Sequence, residues 1–555
     1  MKRDIDIILV IVVLGAAFAG GTIERKVSAG SAPQRSQTAQ FLENYTEAVQ
    51  LIQQNYAQQV PVDRIVYGSV RRMLQTLDPH SNFFDPREFS NMREEQHSKY
   101  SGLGIRIRPL VPGSGRVVIY EPPDPGTPAY RKGLRAGDVI SKVEGESIED
   151  WTTDEVINHL RGPKGTKVRI SIDRPSLDRP LDVEITREEI KLFTVPYGFL
   201  IRPTIGYIKI DRFSETTADE LNEKLGKLGI KELKGLILDL RDNPGGLLQQ
   251  AIEVTDPFLS KNKIVVSTKG RDDSSKKNIV APGTMQINCP LVVLINHSSA
   301  SASEIVAGAI QDHDRGLVVG ESSFGKGLVQ SVYPLENGAG LALTTAKYYT
   351  PSGRLIQRGY TGDTVFEYYY SARSNKKETA DNSKREVAFT DIGRKVYGGG
   401  GINPDVTVEA RELSRFELVL LTKDVFFEYA RKIKNGEVLA AKHIQIPKQA
   451  GDEPLKIDEN HKEAIKKSFE FTPALMEDFK KFLQNKEMEF TEGELVESID
   501  FIKRRVKQEL FISCFGLEEG FKVGIEGDLQ VLKALNLLPE AEQLLLSANY
   551  QQKVN

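Results

Sequence analysis

Residues 296–304 read NHSSASASE and follow the apolar run Leu291–Ile295, so four serines and two alanines sit where a buried strand ends. A serine-rich turn is the plain reading, since serine is a common cap for the free N–H groups of a helix start. The chemical reading is a nucleophile displayed where strand passes into helix. Its small neighbours would let a substrate backbone approach, and the positive end of a helix dipole would favour developing negative charge. Two more stretches bear on the choice. Asp239-Leu240-Arg241-Asp242-Asn243-Pro244-Gly245-Gly246 follows the strand-like GLILDL, and its adjacent glycines either make a turn or point N–H groups at an oxyanion. Gly320-Glu321-Ser322-Ser323-Phe324-Gly325-Lys326-Gly327 nearly fits the phosphate-binding pattern G-x-x-x-x-G-K-[ST]. Gly327, however, stands where a hydroxyl should hold Mg2+, which argues against a nucleotide.

These stretches need strands before them and helices behind them. From about Thr204, IGYIKI, GLILDL, KIVVST, LVVLI and LVVG read as strands alternating with helical ADELNEKLGKLG, LLQQAIEVTDPFL and SEIVAGAIQ. Strands buried on both faces read as continuous apolar runs, so this is an α/β region around a largely parallel sheet. Ligands of such sheets gather at the carboxyl ends of strands, where the serine cluster lies. Upstream, FLENYTEAVQLIQQNY and IVYGSVRRMLQTL carry apolar residues at spacings of three and four, which predicts two helices between about Phe41 and Tyr100. Asp78-Pro79-His80 breaks the second. His80 has no second ligand at a suitable spacing and reads as a loop-packing residue. The charged stretch 371–385 reads as an exposed loop or insertion. Beyond Gly399–Gly401 and Asn403-Pro404-Asp405 the chain is helical and amphipathic, as in ALMEDFKKFL and LVESIDFIKRRVKQEL, without catalytic spacing.

A chain of 555 residues is too long for one core and divides into several domains. Lys+Arg 74 against Asp+Glu 77 leaves a net charge of -3, so nothing in the charge balance suggests a polyanion-binding surface, which argues against nucleic acid as a partner. Only Cys289 and Cys514 are present, so no disulfide framework holds the fold. Cys289 borders an apolar strand and reads as a small buried side chain. Met1-Lys2-Arg3 ahead of the apolar run 7–23 makes an export address. Ala17-Phe18-Ala19 offers a cleavage site, yet the run also approaches membrane-spanning length, so removal and retention as an anchor both stay open. The expected location is periplasmic or otherwise extracytoplasmic.

Between Gly102 and Glu189 short strands (RVVIY, DVISKVEG, KVRISID, LDVEIT), Gly/Pro turns and one helical stretch, TTDEVINHL, follow one another. With Gly102-Leu103-Gly104-Ile105 and Gly133-Leu134-Arg135-Ala136-Gly137-Asp138-Val139-Ile140, this segment resembles a PDZ domain. A GLGI turn has little side-chain bulk, so consecutive N–H groups can face a terminal carboxylate while the next strand offers an open edge to an extended peptide.

The larger pattern, Leu77-Asp78-Pro79-His80-Ser81, the PDZ segment, LRDNPGG, SASASEI, FGKG with Gln330, and Tyr348–Arg354 (YYTPSGR), resembles the C-terminal processing peptidases, or tail-specific proteases. The resemblance covers roughly Asp78 to Asp405. It implies that Ser301 is the nucleophile, Lys326 the base and Gln330 the support of the lysine. It puts the oxyanion hole on the N–H of Ala302 and on one glycine of the Gly245-Gly246 pair, Gly245 first, and gives Asp312 a supporting acidic position. The peptide-binding turn falls on Gly102, Leu103, Gly104 and Ile105. No metal or cofactor is implied.

Physical chemistry agrees with such a pair. A serine hydroxyl needs a base within hydrogen-bond reach, and a lysine of ordinary pKa, about 10.4, is protonated at neutral pH. Burial lowers that value by as much as about 3 to 5 pH units, and Phe324 with the apolar strand ends are candidate walls. A solvated Lys326 would defeat the idea. His297 and His313 are not placed by sequence to reach Ser301 with room for an orienting acid, so a Ser-His-Asp triad is disfavoured.

The expected architecture is multidomain α/β (α+β). It comprises a signal or anchor segment with linker (1–40), an N-terminal helical region (41–100), a PDZ domain (101–189), a serine-peptidase core with a largely parallel sheet (190–410) and a helical C-terminal domain (411–555). The expected function is a serine endopeptidase that cuts exported or membrane proteins at or near apolar C-terminal tails through a Ser-Lys dyad and an acyl-enzyme. The alternative is a noncatalytic PDZ-containing scaffold of protease-like fold. The terminal helices leave room for an adaptor protein or a second copy as partner, and the N-terminal run for a membrane.

Overall fold

The computed structural model describes residues 37–110, 116–174, 177, 179–272, 276–360, 367–369, 385–446 and 459–554. The export address and residues 371–384 of the charged stretch lie outside the described residues. Among those described, no helix is long and apolar enough to cross a membrane. The chain forms two compact units, Met1–Val70 and Arg71–Asn555. In the first, the helix Gln37–Asn55 buries none of its residues and leaves Phe41, Leu42, Leu51 and Ile52 exposed. The second predicted helix runs Val62–Gln75 and ends just before Asp78-Pro79.

The centre of the second unit is a six-stranded sheet. Its order is Tyr197–Arg202, Ile205–Lys209, Gly235–Asp239, Leu291–Ile295, Leu317–Gly320, Val406–Thr407, antiparallel only at the first pair. Its middle strands are apolar throughout because both faces are covered. Leu236, Leu238, Leu291, Val293 and Ile295 face the layer that holds the helices Thr217–Leu228, Leu248–Thr255 and Ala302–Asp312. Ile237, Val292, Leu294 and Val319 face the other way, onto Val531, Ala534 and Leu538 of the last helix, Leu529–Val554. The helical C-terminal region is therefore not one body in packing terms. Phe416 to Cys514 contribute to a core of their own, while the last helix is a layer of the peptidase sheet.

KIVVST departs from the expected layout. Ile264–Gly270 leaves the parallel sheet, because the position beside Gly235–Asp239 is taken by Leu291–Ile295. It pairs antiparallel with Lys277–Val280 and Gly340–Tyr349 in a second sheet, which also takes in Asn82–Phe84 and Leu328–Pro334. That sheet matters for the site, since it carries Gln330 and brings the Asp78–Ser81 turn beside it.

The PDZ-like segment forms a sheet in the order Ile107–Pro109, Val117–Ile119, Val139–Val143, Lys167–Asp173, Leu181–Thr186, with the two-residue Glu146–Ser147 at its side. The helix Thr153–Leu160, started by a Thr152/Glu155 capping box, closes its core through Val156 and Leu160. Ile107–Pro109 is an edge strand. Arg108 on that strand lies over the Phe427 ring at 3.4 Å and meets Glu509 at 3.3 Å, so the helical C-terminal region grips the domain there.

Candidate active site

Of the four serines, Ser299 and Ser303 act as fasteners and Ser301 displays its hydroxyl. Ser299 Oγ donates to the Leu240 carbonyl at 2.8 Å and Ser303 Oγ to that of Asn243 at 3.0 Å. Asn296 and Asp242 exchange two more hydrogen bonds, Asp242 N to Asn296 Oδ1 and Asn296 Nδ2 to Asp242 Oδ1. The serine turn and the LRDNPGG turn are thus zipped together. Ser301 is left at the helix start with φ 55 and ψ -112, a backbone conformation costly for a residue with a Cβ and sustained only by surrounding structure. The close approach needs a glycine opposite: a Cβ on Gly245, at φ +98, would lie 2.6 Å from the Ala300 oxygen and 2.7 Å from Ser301 Cβ.

Gly245, the first choice as oxyanion donor, is already engaged. Its N–H donates to Asn243 Oδ1 at 2.9 Å, in a turn that Asn243 Nδ2 anchors on the Ile210 carbonyl. Gly246 is exposed, and neither its N–H nor that of Ala302 donates to another described residue. The free amides beside Ser301 are therefore those of Gly246 and Ala302.

The glycine loop that nearly fits the phosphate pattern closes on a carboxylate of the protein itself. Glu304 is fully buried, and its Oε1 accepts from Ser323 Oγ at 2.5 Å and Gly325 N at 2.7 Å. Its Oε2 accepts from Ser301 N at 2.8 Å and Lys326 N at 2.9 Å. Gly327 N donates to Gln357 Oε1 at 2.9 Å. The amides that would cradle a phosphate are thus spent, which removes the nucleotide reading on structural grounds. Four donors on two oxygens fit the ionised carboxylate, although burial pushes the Glu304 pKa up against those bonds. Glu304 was not singled out from sequence; Ser301-x-x-Glu304, the capping-box spacing, is the signal that could have found it.

Lys326 is half-buried, and its Nζ donates to Gln330 Oε1 at 2.9 Å. Burial lowers its pKa below the ordinary lysine range, with Glu304 and Asp78 pulling the other way. Gln330 is held by its other end, Nε2 donating to the His80 carbonyl. That carbonyl is fixed by a buried turn in which Asp78 Oδ1 accepts the His80 and Ser81 N–H groups at 2.8 and 2.7 Å. His80 packs edge-on against Tyr368 and Tyr369, and burial first, then the Lys326 charge, lowers its pKa to about 4. It is a neutral packing residue, as expected, but its main chain serves the site.

Ser301, Lys326, Gln330, Gly245, Gly246 and Ala302 line one cavity of about 560 Å³. The Ser301 and Lys326 side chains are not hydrogen-bonded to each other. The Tyr348 phenol donates to the Lys326 carbonyl and also interacts with the Ser301 side chain. Tyr348 sits within the YYTPSGR motif, but its contact with Ser301 depends on the antiparallel sheet and was not legible.

Asp312 is not brought to this cavity. It lies 11 residues along the helix from Ser301, about 16 Å at 1.5 Å per residue. There it pairs with the buried Arg354 at 2.5 Å and accepts from Ser352 N and Oγ, so it fastens the PSGR loop. His297 pairs with Glu321 at 3.0 Å and His313 with Asp391 at 2.9 Å, so the competing triad is absent from the described site.

In the PDZ-like segment, Gly102 pairs with Glu188, and Leu103 is buried in the core with its carbonyl accepting from Ala129 N at 3.0 Å. Gly104, at φ +77, is bare because a Cβ would lie 2.5 Å from Thr127 Cβ, and its N–H meets the Tyr100 phenol. Ile105, half-buried, leads to the edge strand Ile107–Pro109.

Two segments of the chain match known protein families. Residues 204–366 match Peptidase family S41, and residues 119–174 match the PDZ domain. The carboxy-terminal-processing protease of Bartonella bacilliformis is 44% identical over 316 residues, 56% of this chain and 71% of that protein. The carboxy-terminal processing protease CtpA of Bacillus subtilis is 32% identical over 416 residues, 74% of this chain and 85% of that protein. Among solved structures, the photosystem II D1 C-terminal processing protease aligns over 66% of this chain and 92% of its own, at 26% identity and a TM-score of 0.33.

Proposed function

The chain belongs to the carboxy-terminal processing proteases of peptidase family S41, and on that premise we propose that this serine-type peptidase works through a Ser301-Lys326 dyad on protein tails held by its PDZ domain. The observation that carries the dyad is the shared cavity, in which Lys326 is half-buried with a lowered pKa beside a strained Ser301. A neutral Lys326 accepts the Ser301 proton as Oγ attacks the scissile carbonyl carbon. This requires Ser301 to leave Tyr348 and turn toward Nζ, while Gln330 Oε1 holds one amine hydrogen and so aims the lone pair. The oxyanion is received by the N–H groups of Ala302 and Gly246. As the C–N bond breaks, the Lys326 ammonium returns its proton to the leaving amine. Water, deprotonated by Lys326, then hydrolyses the acyl-enzyme ester and restores the hydroxyl.

Capture of the tail falls to the turn Gly102–Ile105, whose Gly104 N–H must turn from the Tyr100 phenol to the terminal carboxylate, and to the edge strand Ile107–Pro109 by strand addition. The substrates in this reading are exported or membrane proteins with apolar tails. The basic start and apolar run 7–23 support an extracytoplasmic location. The helices of the first unit are offered for an adaptor or a second copy.

The test is cleavage of an unstructured, apolar-tailed protein by purified chain. Ser301→Ala and Lys326→Ala should each abolish cutting while circular dichroism stays unchanged. Lys326→Arg should fail as well, because a guanidinium does not give up its proton. Full activity in any of the three would sink the dyad.

A further inference from the structure

The cavity at Ser301 has a wall that belongs to neither matched segment. The helix Pro86–Gln96 precedes the PDZ-like sheet, yet Met92, Glu95 and Gln96 line the cavity together with Ser301 and Lys326. We infer that this helix forms one side of the pocket for the substrate side chain next to the scissile bond on its acyl side, and that Met92 sets the size of apolar side chain accepted. The inference rests on the peptidase reading above.

The helix is held firmly enough to act as a wall. Asp85 caps it, accepting from Arg87 N and Glu88 N, and Glu88 returns the bond to Asp85 N at 2.9 Å. Phe89 is buried against Gly340, where a Cβ would lie within 2.2 Å of the ring, so the glycine lets the aromatic seat. Met92 follows Phe89 by three residues and is therefore its neighbour on the same side of the helix, half-buried at the cavity. At the far end, the Gln96 carbonyl accepts from Glu215 N at 2.9 Å, and His97 pairs with Glu215 at 2.8 Å.

The rest of the lining specifies the chemistry. Apart from Ser301, Lys326 and Gln330, the cavity surface comes largely from apolar side chains, among them Leu248, Ile305, Leu328 and Val329. The charged residues of the rim, Glu95 and Arg212, neutralise each other at 3.0 Å. A charged substrate side chain thus finds the rim carboxylate and guanidinium already paired, whereas an apolar one is desolvated against carbon. Methionine suits this place because an unbranched thioether adapts to several shapes.

The experiment compares kcat/KM for one peptide series in which the residue before a mapped cut is Ala, Val, Leu, Phe, Asp or Lys. Wild type should favour the apolar members. Met92→Ala should raise the Phe-to-Ala ratio about tenfold or more, and Met92→Trp should lower it as much, the scale on which a pocket senses a few methylenes. Covalent labelling of Ser301 by a sulfonyl fluoride counts active sites, so a poorly folded variant cannot mimic a change in preference. In a second arm, Glu95→Gln leaves Arg212 without its partner and should raise cleavage at Asp relative to Ala. Unchanged ranking in both Met92 variants, with labelling intact, would overturn the inference and leave the peptidase reading standing. A wild type that cuts no member would overturn both.

Discussion

Glu304 joins Lys326 through the backbone, its Oε2 accepting the Lys326 N–H at 2.9 Å while the same oxygen takes the Ser301 N–H at 2.8 Å. One buried carboxylate thereby fixes the separation of two residues 25 positions apart in sequence. Its charge also raises the Lys326 pKa, so Glu304 both positions the amine and holds back its deprotonation.

From this follows the behaviour of Glu304→Gln. An amide NH2 can face the Ser323 hydroxyl, but it then also confronts the Gly325 N–H, so the network is damaged without being emptied. Cleavage should fall at least tenfold in kcat, with KM little changed. The groups facing Lys326 after the change are Asp78, Gln330 and neutral His80, of which only Asp78 still raises its pKa. The acid limb of the pH–rate profile should therefore move to lower pH. Glu304→Ala, which orphans the buried Gly325 N–H and the part-buried N–H groups of Ser301 and Lys326, should lower stability by about 1 to 3 kcal/mol for the buried donor, with a smaller cost for the other two. A wild-type profile in Glu304→Gln would deny the carboxylate this electrostatic role.

Lys326 makes stability depend on pH. Its folded pKa lies below its unfolded one, so unfolding takes up a proton between the two values and stability rises with pH across that window. At neutral pH the buried amine is a cost. Lys326→Met keeps the length without the titration and should melt at higher temperature than wild type at pH 7, the difference shrinking as pH climbs toward the ordinary lysine range. Calorimetry at several pH values reads this directly, and a lower melting temperature at every pH would contradict it.

Gly245→Ala separates packing from hydrogen bonding in the oxyanion turn. A Cβ there meets the Ala300 oxygen, Ser301 Cβ and Ala302 N, all within 3 Å, on a backbone at φ +98. Either Ser301 moves or the turn does. Cleavage should drop by two or more orders of magnitude, on the scale of a lost oxyanion donor, although the Gly245 N–H is spent on Asn243 Oδ1. Near-normal kcat would mean that the turn yields without disturbing Ser301.

Much of the site was legible because it is written in local patterns. The serine turn lies between strand and helix, and Lys326 and Gln330 are four apart where the glycine loop enters a strand. What the pattern could not reveal depends on which donor meets which acceptor. Asn243 Oδ1 consumes the Gly245 amide, Glu304 fills the phosphate-like loop, and the Gly340–Tyr349 strand carries Tyr348 to Ser301. Periodicity marks KIVVST as a strand but not as a member of the second sheet, since pairing is settled by which neighbours are already taken. Asp312 shows the reverse hazard: an acid near the motif in sequence is carried away by three turns of helix.

The last helix offers the broadest test, because amphipathic pattern alone does not say whether it docks elsewhere or completes the core. Its Val531, Ala534, Leu538 and Ala541 are buried against Ile237, Val292, Leu294 and Val319, the second face of the sheet that positions the serine turn. At its start Asp528 and Gln530 receive Arg241 Nη1 at 2.8 and 2.7 Å, and the same guanidinium holds Asp239 well below the usual carboxylate range against the upward push of burial. A chain ending at Gly516 would leave that apolar face in water and Arg241 without two of its partners. It should express as aggregate or, if soluble, bind a hydrophobic dye and cut nothing. Leu538→Asp, placing a charge at a buried position, should reproduce the defect in the full chain, whereas Leu546→Asp on the exposed side of the same helix should not. A soluble, active chain ending at Gly516 would show that the sheet can hold Ser301 with one face bare, and the layer would then have to serve something other than the catalytic core.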